Sequence, residues 1–207
     1  MSPLFRRAFA AAVMVTLLVG CGGPQAHRST APGSGGAPPP SPASVKSARM
    51  PARSAPVRLR IPAVGVDTPV VRLGLAADGT VQVPPVTAHD RAGWYRYSPT
   101  PGQAGPSVIL GHVTVGAYGD GVFRHLARLR RGDRIETRLE NGTTAVFAVR
   151  AVRTVAKADF PVDEVYGNVD RPELRLITCG GPRTGDGYLD NVIVFAALSA
   201  APASPHP

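Results

Sequence analysis

Short runs of alternating apolar and polar residues dominate the chain from residue 57 to residue 199. Val57-Arg58-Leu59-Arg60-Ile61 repeats every second residue, the period of a strand with one buried face. Val66–Val71 is a second extended run, and Pro69 within it predicts an edge or irregular strand. Ser107–Leu110 is apolar and leads into Gly111-His112. Arg134–Leu139 and Thr144–Arg153 alternate on either side of Asn141-Gly142, a strong hairpin signal. Leu174–Cys179 and Asn191–Leu198 supply the last two strands. Val122, Phe123, Leu126 and Leu129 have helical spacing instead, so a short helix is predicted over Asp120–Leu129, ended before Gly132. There is no internal repeat. Seven or eight short strands with one or two short helices predict an all-β barrel or sandwich.

The pattern is different before residue 57. Met1–Gly20 reads as a signal peptide, with Arg6 and Arg7 ahead of the apolar run Ala8–Val19. That run has 12 residues, too few to cross ~30 Å of hydrocarbon as a helix. Leu18-Val19-Gly20-Cys21 resembles a bacterial lipobox, which makes Cys21 the expected lipidated residue and the membrane an expected partner through that lipid. From Gly22 to Pro56, 26 of 35 residues are Pro, Ala, Ser or Gly. Such a segment cannot bury enough apolar surface to order itself. As a flexible linker its root-mean-square span is ~33 Å. Residues 200–207 read as a tail, which leaves 57–199 as the folded domain.

Composition sharpens this division. The formal charge is +9, but Arg6 and Arg7 carry +2, and Arg28, Lys46, Arg49 and Arg53 carry +4, leaving +3 for residues 57–199. No basic stripe with interleaved aromatics remains, so nucleic acid is not an expected partner. Two cysteines are too few for a disulfide scaffold or a cysteine-built metal site.

If Cys21 carries lipid, Cys179 is a free thiol in an exported protein. It ends an apolar strand in Leu176-Ile177-Thr178-Cys179-Gly180-Gly181. The bland alternative is a buried cysteine acting as a small hydrophobe. A thiol nucleophile needs a base or ion-pair partner to supply thiolate. His27 and His206 lie in the linker and tail, His125 is on the predicted helix, and His89 is in a Thr-Ala-His-Asp loop. His112 ends the apolar run Val108-Ile109-Leu110-Gly111, and two strand ends can meet on one barrel rim. His112 is therefore the best partner for Cys179.

Val108-Ile109-Leu110-Gly111-His112-Val113 together with Leu176-Ile177-Thr178-Cys179-Gly180-Gly181 resembles a sortase, the cysteine transpeptidase of Gram-positive cell surfaces. Arg60-Ile61-Pro62-Ala63-Val64-Gly65-Val66-Asp67 is similar to that family's first strand. Ala92-Gly93-Trp94-Tyr95, Pro101-Gly102-Gln103-Ala104-Gly105-Pro106 and the two glycines after Cys179 resemble the actinobacterial class F type within the class E/F group. The use of 21 Arg against 2 Lys fits a GC-rich actinobacterium. The resemblance implies an eight-stranded β-barrel and an enzyme on the outer face of the cell membrane. It implies that Cys179 attacks an LPxTG-like sorting signal to form a thioester, and that His112 protonates the leaving amine and then deprotonates an acceptor amine, such as a cell-wall precursor. This chemistry calls for no metal or cofactor.

The family also places an arginine on or near the strand after the cysteine. Here that strand holds Leu189, Asp190 and Asn191. Arg183 is the only arginine between Cys179 and the C-terminus, so it is the local candidate for the oxyanion, with Thr178 or Asn191 as alternative donors. Three other readings compete. An L,D-transpeptidase would keep His and Cys in one Ser-His-Gly-Cys stretch, and nothing here matches it. A non-catalytic peptide-binding lipoprotein and a hydrolase of the same fold remain as alternatives.

Overall fold

The computed structural model describes residues 53–199 except 186. Cys21, the expected signal peptide, the linker up to residue 52 and the tail 200–207 lie outside the described residues. Eight strands close into a barrel: β1 Pro56–Ile61, β2 Val66–Leu73, β3 Ala92–Tyr95, β4 Gly105–Leu110, β5 Arg134–Leu139, β6 Thr144–Ala156, β7 Pro172–Thr184 and β8 Gly187–Leu198. Around the barrel they run β1-β2-β3-β4-β7-β8-β6-β5, and β5 returns to β1. The all-β barrel expected from the alternation is therefore present. Ser54 and Ala55 are already buried, and Glu140 N–H donates to the Ala55 carbonyl at 2.9 Å, so the chain is tied down before β1 begins.

Local chemistry accounts for the pairings. Pro69 lies opposite Arg58 of β1, while the ladder from β2 to β3 starts only at Val70, past the residue that lacks an N–H. β4 pairs in parallel with β7 through Leu110↔Ile177, and all six of its residues are buried. A strand covered on both faces reads as a continuous apolar run, which is how Ser107–Leu110 reads. Ile109 points inward with Trp94, Phe147, Leu176 and Val194. Val108 and Leu110 point outward and join Ile177 and Ile193 in a second cluster. That outer cluster is capped by Val165 of a five-residue helix, α1, Val162–Tyr166, the one α-helix among the described residues.

The helix predicted over Asp120–Leu129 is absent. Only Leu126–Arg128 is helical, as one 3-10 turn, and Thr114 and Asp120 form a β-bridge instead. The misleading signal has a physical source. Successive i→i+3 bonds (Leu126 N–H to Phe123, Leu129 N–H to Leu126) stack every third residue, and Phe123, Leu126 and Leu129 are all buried. β3, α1 and the outward extension of β7 and β8 carried no periodicity long enough to be read from sequence.

Candidate active site

β4 and β7 bring the two candidate reactive residues to one end of the barrel. Beyond the pair Leu110↔Ile177, Gly111 N–H still donates to the Ile177 carbonyl at 3.1 Å. One further step in that register would set His112 level with Cys179, though the backbone pairing itself ends at Gly111. The strand alternation also gives them a common face. Val108 and Leu110 share the outer cluster with Ile177 and Ile193, and His112 and Cys179 each lie two residues further on. Both are half-buried, and Cys179 is a free thiol.

After Gly111 the chain turns into a narrow lobe. Phe123 N–H donates to the His112 carbonyl, and Gly121 N–H to the Val113 carbonyl, each at 2.8 Å. A Cβ on Gly121 would overlap the His112 carbonyl, so only glycine allows this approach. The imidazole is held from the other side. His112 Nε2 lies 2.6 Å from the Pro84 carbonyl. A carbonyl only accepts, so Nε2 carries the proton, and Nδ1 is the free acceptor of the neutral ring. Pro84 belongs to the 18-residue connection between the parallel strands β2 and β3, residues 74–91.

β8 completes the site. Asn191 is the register partner of Cys179, and its Nδ2 donates to the Thr178 carbonyl at 3.3 Å. Thr178 itself points to the other face of β7. Its hydroxyl is buried without a hydrogen-bond partner among the described residues, so it is the Thr178 backbone, not the side chain, that belongs to the thiol's face. Past Gly180 the register shifts, and Arg183 pairs with Tyr188 on an arm projecting beyond the barrel. The Arg183 guanidinium lies 5.9 Å from the Tyr188 ring centre. Alternation back along β8 from Asn191 gives the thiol's face to Leu189, which is half-exposed. Of the five candidate groups, the fold sets Asn191 opposite Cys179, brings the segment bearing His112 to the same end of the barrel, keeps Arg183 on the arm with Tyr188, and turns the Thr178 hydroxyl away.

A groove of about 850 Å³ approaches this end along the same face. Its lining includes Tyr95, Val108, Phe160, Val162 and Tyr166. Val108 lies four residues before His112, or ~13 Å along a strand. Burial and the neighbouring Tyr95 push the Tyr166 phenol up, so it stays neutral. The wall bearing α1 is pinned to β7 by Arg175. This buried side chain donates to the Glu164 carbonyl at 3.2 Å and pairs with Glu173 at 2.6 Å. Neither the Pro84 contact nor the Arg175 anchor was singled out from sequence. A backbone carbonyl carries no residue signature, and Arg175 looks like any polar residue in an alternating strand.

Comparison with known proteins agrees with this architecture. Residues 59–199 match the sortase domain family. Among solved structures, the chain is similar to sortase C-1 from Actinomyces oris, with a TM-score of 0.55 and 21% identity over 69% of this chain and 73% of that one. It is similar to a lid mutant of sortase A from Corynebacterium diphtheriae, with a TM-score of 0.57 and 19% identity over 75% and 76%. It is also similar to the sortase D5 transpeptidase of Clostridium perfringens, with a TM-score of 0.52 and 23% identity over 70% and 79%. No sequence among the curated proteins matches it. A family match over residues 59–199, on an eight-stranded closed barrel, means that the chain belongs to the sortase family.

Proposed function

We propose that the protein is a class E/F-like sortase that cleaves an LPxTG-like sorting signal and passes the acyl group to an amine. The observation carrying this reading is the parallel pairing of β4 with β7 up to Gly111 and Ile177, which brings the segments bearing His112 and Cys179 to one end of the barrel. The apolar groove receives the peptide along β4. The Cys179 thiolate attacks the Thr carbonyl carbon, giving a tetrahedral oxyanion. As that intermediate collapses, the C–N bond breaks, a thioester forms, and the His112 imidazolium gives its proton to the leaving amine. The incoming amine loses its proton to His112, attacks the thioester and releases the thiolate. General acid–base transfer of this kind contributes ~10²–10⁴-fold.

Asn191 is the proposed oxyanion donor, because its amide stands opposite the thiol and has a second N–H to offer. Arg183, at the rim on the Tyr188 arm, contributes charge near the substrate rather than the main oxyanion contact. The lipobox at Cys21 places the enzyme on the outer face of the membrane of a Gram-positive actinobacterium, tethered by the linker. Incubation with an LPxTG-type peptide, with and without an amine, tests the activity. Amine-dependent joining is the expected result, and water-only release would make the protein a hydrolase.

A second reading rests on Leu189. An apolar residue on the thiol's face of the strand where the family carries arginine suits a groove that binds a surface peptide without cutting it. Tight peptide binding with no cleavage would favour that reading.

A further inference from the structure

Thr114 Oγ1 and the Tyr188 hydroxyl lie 3.0 Å apart, one on the lobe that follows His112 and one on the arm that follows Cys179. Both side chains are half-buried. They join segments that the sheet no longer connects. Backbone pairing between the β4 and β7 chains is last seen at Gly111 and Ile177, and the His112 carbonyl turns away to Phe123. The lobe is stiff, since Val115 N–H donates to Gly119 and Gly121 N–H to Val113, both at 2.8 Å. The arm departs from the barrel at a register shift between Gly180 and Arg183. The lobe follows Gly111 and the arm follows Gly180 and Gly181, and each carries one member of the proposed reactive pair at its base.

We infer that Tyr188 and Thr114 form a latch that sets the spacing of His112 and Cys179, and that Tyr188 is a positioning residue for the reaction. The inference rests on the proposed Cys–His chemistry. A thiolate–imidazolium pair depends steeply on distance, and misplacement of catalytic groups by about 1 Å can cost 10²-fold in rate. The latch also holds Arg183 in place through the ring it lies against, so the arm, the lobe and the two reactive groups move together.

The test needs no peptide substrate. The rate of Cys179 alkylation by iodoacetamide is measured against pH in the full chain, with a melting curve for each variant. An imidazolium beside the thiol favours the thiolate, so His112→Ala should slow alkylation at pH 7 and leave the fully ionised rate at pH 10 unchanged. Tyr188→Phe and Thr114→Val should each do the same by about threefold or more, with melting little changed. Thr114→Ser should retain the wild-type profile, and the double variant should be no worse than either single one. An unshifted profile in Tyr188→Phe and Thr114→Val, alongside a shifted one in His112→Ala, would overturn the latch and leave the Cys–His pair standing. So would equal, additive losses in the double variant. An unshifted His112→Ala profile would remove the pair itself, and the latch with it.

Discussion

Asn191 stands directly across the β7–β8 ladder from Cys179, with its amide nitrogen 3.3 Å from the carbonyl of the residue before the thiol. In the proposed mechanism this relationship would offer a neutral donor to the developing negative charge. Such a donor is already oriented, so it need not reorganise when the tetrahedral intermediate forms. Loss of one donor of this kind costs ~10²–10³-fold in kcat. Asn191→Ala is expected to show a loss of that size, and Arg183→Ala one of about tenfold or less, in steady-state turnover of an LPxTG-type peptide. The reverse order would return the oxyanion to the guanidinium.

The 2.6 Å contact from His112 Nε2 to the Pro84 carbonyl fixes which nitrogen carries the proton. Nitrogen-15 spectra of the histidine-labelled protein, recorded at a pH where the ring is neutral, should show the proton on Nε2 and none on Nδ1. His112→Ala should lower turnover by at least ~10²-fold. A ring protonated at Nδ1 would mean that the 74–91 connection does not hold the histidine in solution.

The wall of the groove is held by an ion pair between buried Arg175 and half-buried Glu173. Burial pushes the Glu173 carboxyl up, but hydrogen bonds from Arg171 and Arg175 outweigh it and hold the group below its ordinary value of 4.5. A carboxyl depressed in the folded state binds fewer protons there than in the unfolded chain. Its stabilisation is thus present above 4.5 and is lost as pH falls through the folded value. Glu173→Gln strands the buried Arg175 charge and should cost ~3 kcal/mol at pH 7 in urea unfolding. The gap between variant and wild type should narrow at pH 3. A gap unchanged by pH would show that the cost is one of packing.

Cys21 lies outside the described residues, and its role rests on the pattern Leu18-Val19-Gly20-Cys21. Two or more acyl chains hold a protein on a bilayer, whereas one binds only marginally. Cys21→Ala should therefore release the domain into the medium, as read by fractionation and blotting. Retention in the membrane fraction would exclude the lipobox.

The strands with clean alternation were legible in sequence, because burial of one face every second residue leaves a direct trace. β4 was legible for the opposite reason, since both its faces are covered. His112 and Cys179 were legible because each ends such a run. The lobe after His112 was misread as a helix, because stacked 3-10 turns bury Phe123, Leu126 and Leu129 at a spacing close to that of a helix. The arm that carries Arg183 and Tyr188 looked like a loop, since Gly180, Gly181, Gly185 and Gly187 signal turns and the cross-strand pairs have no repeat. Asn191 was only one of several possible donors until the register placed it opposite the thiol.

The proposed mechanism turns on acylation of Cys179. Intact-mass measurement of the protein quenched during reaction with an LPxTG-type peptide reads it directly. The wild-type protein should gain the mass of the peptide up to its Thr, lose that mass on addition of an amine as the joined product appears, and show no adduct in Cys179→Ala. Peptide cleavage that persists in Cys179→Ala, or that proceeds without any adduct on the wild-type protein, would contradict the account.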